Sequence, residues 1–88
     1  MTSYNISFKP SVEKDLRPLS KSVVARVIEH IERLKTESFP RQAVKLSGAE
    51  RLYRLRVGDY RIVYEVDSSA KQVMIQYVRH RREVYRSL

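Results

Sequence analysis

The run Leu52-Tyr53-Arg54-Leu55-Arg56-Val57-Gly58-Asp59-Tyr60-Arg61-Ile62-Val63-Tyr64 alternates apolar and basic side chains on both sides of a Gly-Asp pair. A period of two sends successive side chains to opposite faces of a strand, and a two-residue turn containing glycine joins antiparallel strands. With Gly58 and Asp59 as the turn, Val57 opposes Tyr60, Leu55 opposes Ile62 and Tyr53 opposes Tyr64. One face then pairs only aliphatic and aromatic side chains, and a slip of one residue would expose them all, so the register is well specified. The same register sets Arg56 opposite Arg61, with Arg54 two residues along. Like charges directly opposed across a ladder are destabilising. This face is therefore either a solvated, splayed surface or a place where an anion sits between guanidinium groups.

At 88 residues the chain is expected to form one domain, 1–88, with a modest single core. It has no cysteine, which removes disulfides and thiolate metal sites and fits a cytoplasmic protein. His30 and His80 lie far apart, and no His or carboxylate group has ligand spacing, so neither a metal nor another cofactor is expected. The start, Met1 to Phe8, is too polar for a signal peptide, and no apolar run reaches the length of a membrane span. Eighteen Lys and Arg against ten Asp and Glu give a net charge of +8, which favours a polyanionic partner. The last ten residues hold four arginines and one acid. Arginine suits bidentate phosphate contacts and stacking on bases.

Tyr4, Ile6 and Phe8 alternate with polar residues, predicting a strand that Lys9-Pro10-Ser11 ends. Val12, Leu16 and Leu19 predict a helix limited to about two turns by Pro18. Ser20 is placed to cap a second helix, whose Val23, Val24, Val27, Ile28, Ile31 and Leu34 form a core stripe. His30 falls on its polar side and has no chemical role assigned. Residues from Glu37 to Glu50 read as a loop in which Ala43, Val44 and Leu46 can pack on the body. After the hairpin, a four-residue loop at Asp67-Ser68-Ser69-Ala70 leads to a strand through Val73, Ile75 and Tyr77. That loop would set Val66 opposite Lys71, Tyr64 opposite Val73, Ile62 opposite Ile75 and Tyr60 opposite Tyr77. Parity then sends Gln76, Val78 and His80 to the side of Arg61, unless a bulge intervenes. From Glu83 onward only a frayed terminal turn is expected.

The order strand, two helices and a three-stranded antiparallel meander predicts an α+β two-layer domain with both helices on one face of the sheet. The other face is expected to be concave, exposed and basic. Arg54, Arg56 and Arg61, joined by His80, Arg81 and Tyr85, supply the parts for cleaving RNA without metal. The ribose 2′-OH must lose a proton, the phosphorane gathers negative charge, and the departing 5′-oxygen needs a proton. Arginines meet the second requirement. His80, as a histidine, can act as acid or base, and Tyr85 could act as base if the surrounding arginines lowered its pKa. Each also has an ordinary reading: His80 as a surface residue at a strand end, Tyr85 as an aromatic that anchors the tail or stacks on a base.

Leu46-Ser47-Gly48, the run Tyr53 to Tyr64, and Val78-Arg79-His80-Arg81-Arg82-Glu83-Val84-Tyr85-Arg86 resemble the RelE branch of the RelE/ParE toxin superfamily. Length and element order agree over the whole chain. The resemblance implies the toxin of a type II toxin–antitoxin system, an endoribonuclease that enters the ribosomal A site, cuts messenger RNA and so inhibits translation. It implies a RelB-like antitoxin from a neighbouring gene as partner, with contact to DNA only through that antitoxin. The family's basic strand residues fall on Arg54, Arg56 and Arg61, its C-terminal arginine on Arg81 and its terminal tyrosine on Tyr85. Arg79 competes with Arg81 for one role, because spacing around the terminal motif varies in the family. Arginine stands where well-known members have lysine at the first strand positions, which removes a proton-transferring lysine. The alternative on the same scaffold is a ParE-like inhibitor of DNA gyrase without nuclease activity. His80, Arg81 and Tyr85 beside the strand arginines favour the ribonuclease. A general RNA-binding module fits the charge but lacks a platform of exposed paired aromatics.

Overall fold

The computed structural model describes residues 3–48 and 50–81. Strand β1 (Asn5–Phe8) leads into helices α1 (Pro10–Leu16) and α2 (Lys21–Arg33), followed by β2 (Val44–Lys45), β3 (Leu52–Val57), β4 (Tyr60–Asp67) and β5 (Gln72–His80). The five strands form one sheet in the order β1-β5-β4-β3-β2, with β1 parallel to β5 and the other pairs antiparallel. The α+β two-layer arrangement stands as the sequence predicts. One addition is β2: within the expected loop, Val44 and Lys45 pair with Arg54 and Tyr53 and form the second sheet edge.

Helix α1 starts at Pro10, whose fixed φ suits a first helical position. Helix α2 is capped by Ser20, whose hydroxyl accepts from the Val23 amide at 3.3 Å. Val12 from α1, with Val27 and Ile31 from α2 and Leu34 just beyond it, meets Leu55, Val57, Ile62, Tyr64, Val66, Val73, Ile75 and Val78 from the sheet. These side chains make the single core. Tyr64 is fully buried there and donates its hydroxyl hydrogen to the Ser38 carbonyl at 3.0 Å. Burial first, and the neighbouring Tyr53 second, push its hydroxyl well above the ordinary phenol pKa.

The β3–β4 register is the one the alternation dictates, from Tyr53↔Tyr64 to Val57↔Tyr60. Gly58 turns the chain at φ +59°, a left-handed conformation that a glycine takes without a Cβ penalty. The β4–β5 register differs from expectation in two places. Asp67 pairs with Gln72, so the four-residue loop starts one residue later than predicted. Asp67 Oδ1 accepts from the Ala70 amide at 3.0 Å and Lys71 takes the left-handed conformation, which together close the loop at 68–71. Tyr64 therefore opposes Ile75, and Val66 opposes Val73.

The second difference is a bulge. Tyr64 pairs with Ile75 but Val63 pairs with Tyr77, so Gln76 is the extra residue in β5. Every later residue of β5 then lies on the face opposite to that predicted. Val78 enters the core, 2% exposed and opposite Ile62. The apolar positions Val73, Ile75 and Val78, spaced by two and then three, are all buried only if one residue is skipped. Helix α1 secures the skip: Asp15 Oδ2 accepts from the Val78 amide at 3.1 Å, beyond the point where β1 stops pairing with β5.

Candidate functional site

The bulge builds the site. On the sheet face away from the helices, Arg56 of β3 lies opposite Arg61 of β4, and Arg61 lies opposite Arg79 of β5. Three arginines thus stand in one row across three strands, at the end of the sheet that holds the Gly58-Asp59 turn. A second row behind it runs from Arg54 through Val63 to Tyr77. The Arg79 guanidinium lies over the Tyr77 ring, 4.6 Å from its centroid, a cation–π contact that holds Arg79 on this face.

The backbone of the turn holds two guanidinium groups of the row. Arg61 Nη1 donates to the carbonyls of Gly58 at 3.2 Å and Tyr60 at 3.1 Å, and Arg56 Nε donates to the same Gly58 carbonyl at 3.4 Å. The expectation of a wholly exposed basic face needs correction here. Arg61 is 6% exposed, because its side chain folds along the sheet toward those turn carbonyls, while Arg56 is exposed and Arg54 half-buried. The turn also receives the end of β5: the Arg81 amide donates to the Asp59 carbonyl at 2.8 Å, which brings an exposed Arg81 beside the row.

His80 lies elsewhere. The sequence reading put it with the arginines by parity, but the bulge moves it to the helix side, opposite Tyr60. Its ring meets the Tyr60 ring edge-on at 5.4 Å, in a recess lined also by Lys14, Asp15, Pro18 and Leu19. Tyr85 lies outside the described residues, as does the expected terminal turn from Glu83. Arg79, ambiguous in the sequence, belongs to the row, and the signal for it was the two-then-three spacing of Val73, Ile75 and Val78. His30 bonds only locally, its Nδ1 donating to the Arg26 carbonyl at 2.8 Å. Among the described residues no three His, Cys, Asp or Glu side chains gather as metal ligands, and no helix is long and apolar enough to cross a membrane.

Residues 6–85 match the family model described as the ParE toxin of the type II toxin–antitoxin system parDE. The chain belongs to the RelE/ParE toxin superfamily. Within it, the similar proteins are mostly of the RelE type. A Methanocaldococcus jannaschii protein named "Putative toxin RelE1" is 30% identical over 96% of this chain and 97% of its own length. The structure is similar to a chain of the archaeal RelE–RelB complex from Pyrococcus horikoshii, with a TM-score of 0.81 and 33% identity over 91% of this chain and 97% of that one. It is also similar to the Mycobacterium tuberculosis complex RelBE2, with a TM-score of 0.80 and 27% identity over 90% and 99% of the two chains.

Within this RelE/ParE chain, the arginine row can bind an anion and stabilise added negative charge on it. Guanidinium forks fit phosphate oxygens in pairs. They stand on three adjacent strands of one sheet instead of a free loop, which reduces the ordering needed when a ligand arrives.

Proposed function

We propose that the chain is the toxin of a type II toxin–antitoxin pair and a metal-independent endoribonuclease that cuts messenger RNA in the ribosomal A site. The observation that carries this reading is the opposed row Arg56–Arg61–Arg79, which gathers three guanidinium groups at the turn end of the sheet. The scissile phosphate sits on the row. Removal of the 2′-OH proton lets the 2′-oxygen attack phosphorus, and the 5′-oxygen leaves with a proton, giving a 2′,3′-cyclic phosphate and a free 5′-hydroxyl. Arg61, fixed by two turn carbonyls, and Arg81, tied to Asp59 through its amide, stabilise the charge that builds on the phosphorane. Arg54, Arg56 and Arg79 bind the flanking backbone. Proton transfer falls to Tyr85, which follows β5 in the sequence, because His80 faces the helix side, away from the row. A RelB-like antitoxin holds the site inactive, in keeping with the RelE–RelB complex that the fold resembles.

The second reading, a ParE-like gyrase inhibitor, is favoured by the parDE description of the matching family model. Induction of the chain alone separates the two. The ribonuclease arrests translation and leaves messages cleaved on ribosomes. Intact messages with double-strand DNA breaks and an SOS response would replace it with the gyrase inhibitor.

A further inference from the structure

A cleft of about 270 Å³ opens between α2 and the tip of the β3–β4 hairpin, lined by Val23, Arg26, Arg56, Val57, Asp59 and Tyr60 with Gly58 at its floor. Arg26 reaches over the turn, its Nη2 and Nη1 lying 3.7 and 3.8 Å from where a Cβ on Gly58 would be. The lack of a side chain at Gly58 keeps that floor open. Among the described residues Arg26 takes part in no ion pair, a state it shares with most of the cations. Asp59 stands in the same cleft without pairing to it.

Arg56 belongs to two places at once. Its Cα position lies in the arginine row, while its side chain curls to the Gly58 carbonyl and forms one wall of the cleft. The cleft is therefore continuous with the row around the hairpin tip. Two guanidinium groups, an apolar wall of Val23 and Val57, and the Tyr60 ring match a phosphorylated nucleoside: a phosphate between the arginines, the sugar and base against the wall. Asp59 offers an acceptor to a sugar hydroxyl or a base amino group.

We propose that this cleft is a second phosphate-and-nucleoside subsite, which holds the nucleotide next to the one whose phosphate lies on the arginine row, with Arg26 as its phosphate ligand. The proposal rests on the ribonuclease reading of the row. Adenosine 3′,5′-bisphosphate can place one phosphate on the row and the other at Arg26, whereas adenosine 3′-monophosphate can occupy only one position at a time. Titration calorimetry together with NMR of the arginine side chains should show the bisphosphate binding about tenfold more tightly, the value of one charge-assisted hydrogen bond at an open site. Arg26→Ala should abolish that advantage while leaving the response of Arg56, Arg61 and Arg79 to the monophosphate unchanged, and Arg26→Lys should restore part of it. If the row responds to both ligands but the bisphosphate advantage is absent, or survives Arg26→Ala, the subsite is overturned and the row stands. If neither ligand perturbs Arg56, Arg61 or Arg79 in the unsubstituted protein, the reading of the row fails and the subsite with it.

Discussion

The two faces of the sheet are built from the same strands and obey opposite rules. On the helix side, each cross-strand pair near the centre joins apolar groups, such as Leu55 with Ile62 and Tyr64 with Ile75, and all four side chains are buried. On the other side, at the turn end, the same backbone register forces three arginines into line. The burial of the first face sets the register, and the second inherits it. A line of like charges is thereby held in place by a core that does not depend on it.

This contrast can be tested from both sides. The largest effect should follow from Ile75→Ala, which empties a fully buried site opposite Tyr64 and should lower unfolding free energy by about 2–5 kcal/mol in denaturant titrations. A cost under about 1 kcal/mol would mean that the apolar face does not set the register. Arg61→Ala should slow messenger cleavage by about ten- to a thousandfold, the range for losing a charge-stabilising donor. Because Arg61 is buried, thermal unfolding of this variant must be measured alongside. A rate that falls only as far as the folded fraction falls would make Arg61 structural.

Asp15 links the two faces. Asp15→Ala leaves the Val78 amide without its acceptor and should cost about 1–3 kcal/mol, with faster hydrogen exchange at that amide. Asp15→Asn keeps a carbonyl oxygen in reach and should recover most of the protection. Unchanged exchange at Val78 in Asp15→Ala would mean that the bulge holds without α1. A smaller effect concerns Tyr64, whose hydroxyl stays protonated in the fold after the unfolded chain's tyrosine ionises near its ordinary value of about 10. The unfolded state then binds fewer protons, so stability should fall above that pH by up to about 1.4 kcal/mol per unit. Tyr64→Phe should flatten this alkaline slope, and an equal slope in the variant would assign it to another group.

Sequence alone made the hairpin and the core stripe of α2 legible, because period, turn residues and cap are all local signals. Arg56 opposite Arg61 followed directly. The place of Arg79 and His80 was not legible in the same way. It depends on skipping Gln76, and the skip is stabilised by Asp15, a residue far away in the chain. The burial of Arg61 was also hidden, since it depends on where a long side chain finds acceptors at the turn. The two-residue strand β2 carries too short a pattern to be distinguished from a loop.

The proposed reaction requires the arginine row to hold an anionic substrate. Single-turnover cleavage of ribosome-bound messenger by Arg79→Gln tests this most directly, because Arg79 joins the row only through the bulge. Cleavage should slow by about tenfold or more, beyond what any loss of folded protein explains. Cleavage at the unsubstituted rate, with stability lost, would show that the row serves the fold and not the reaction.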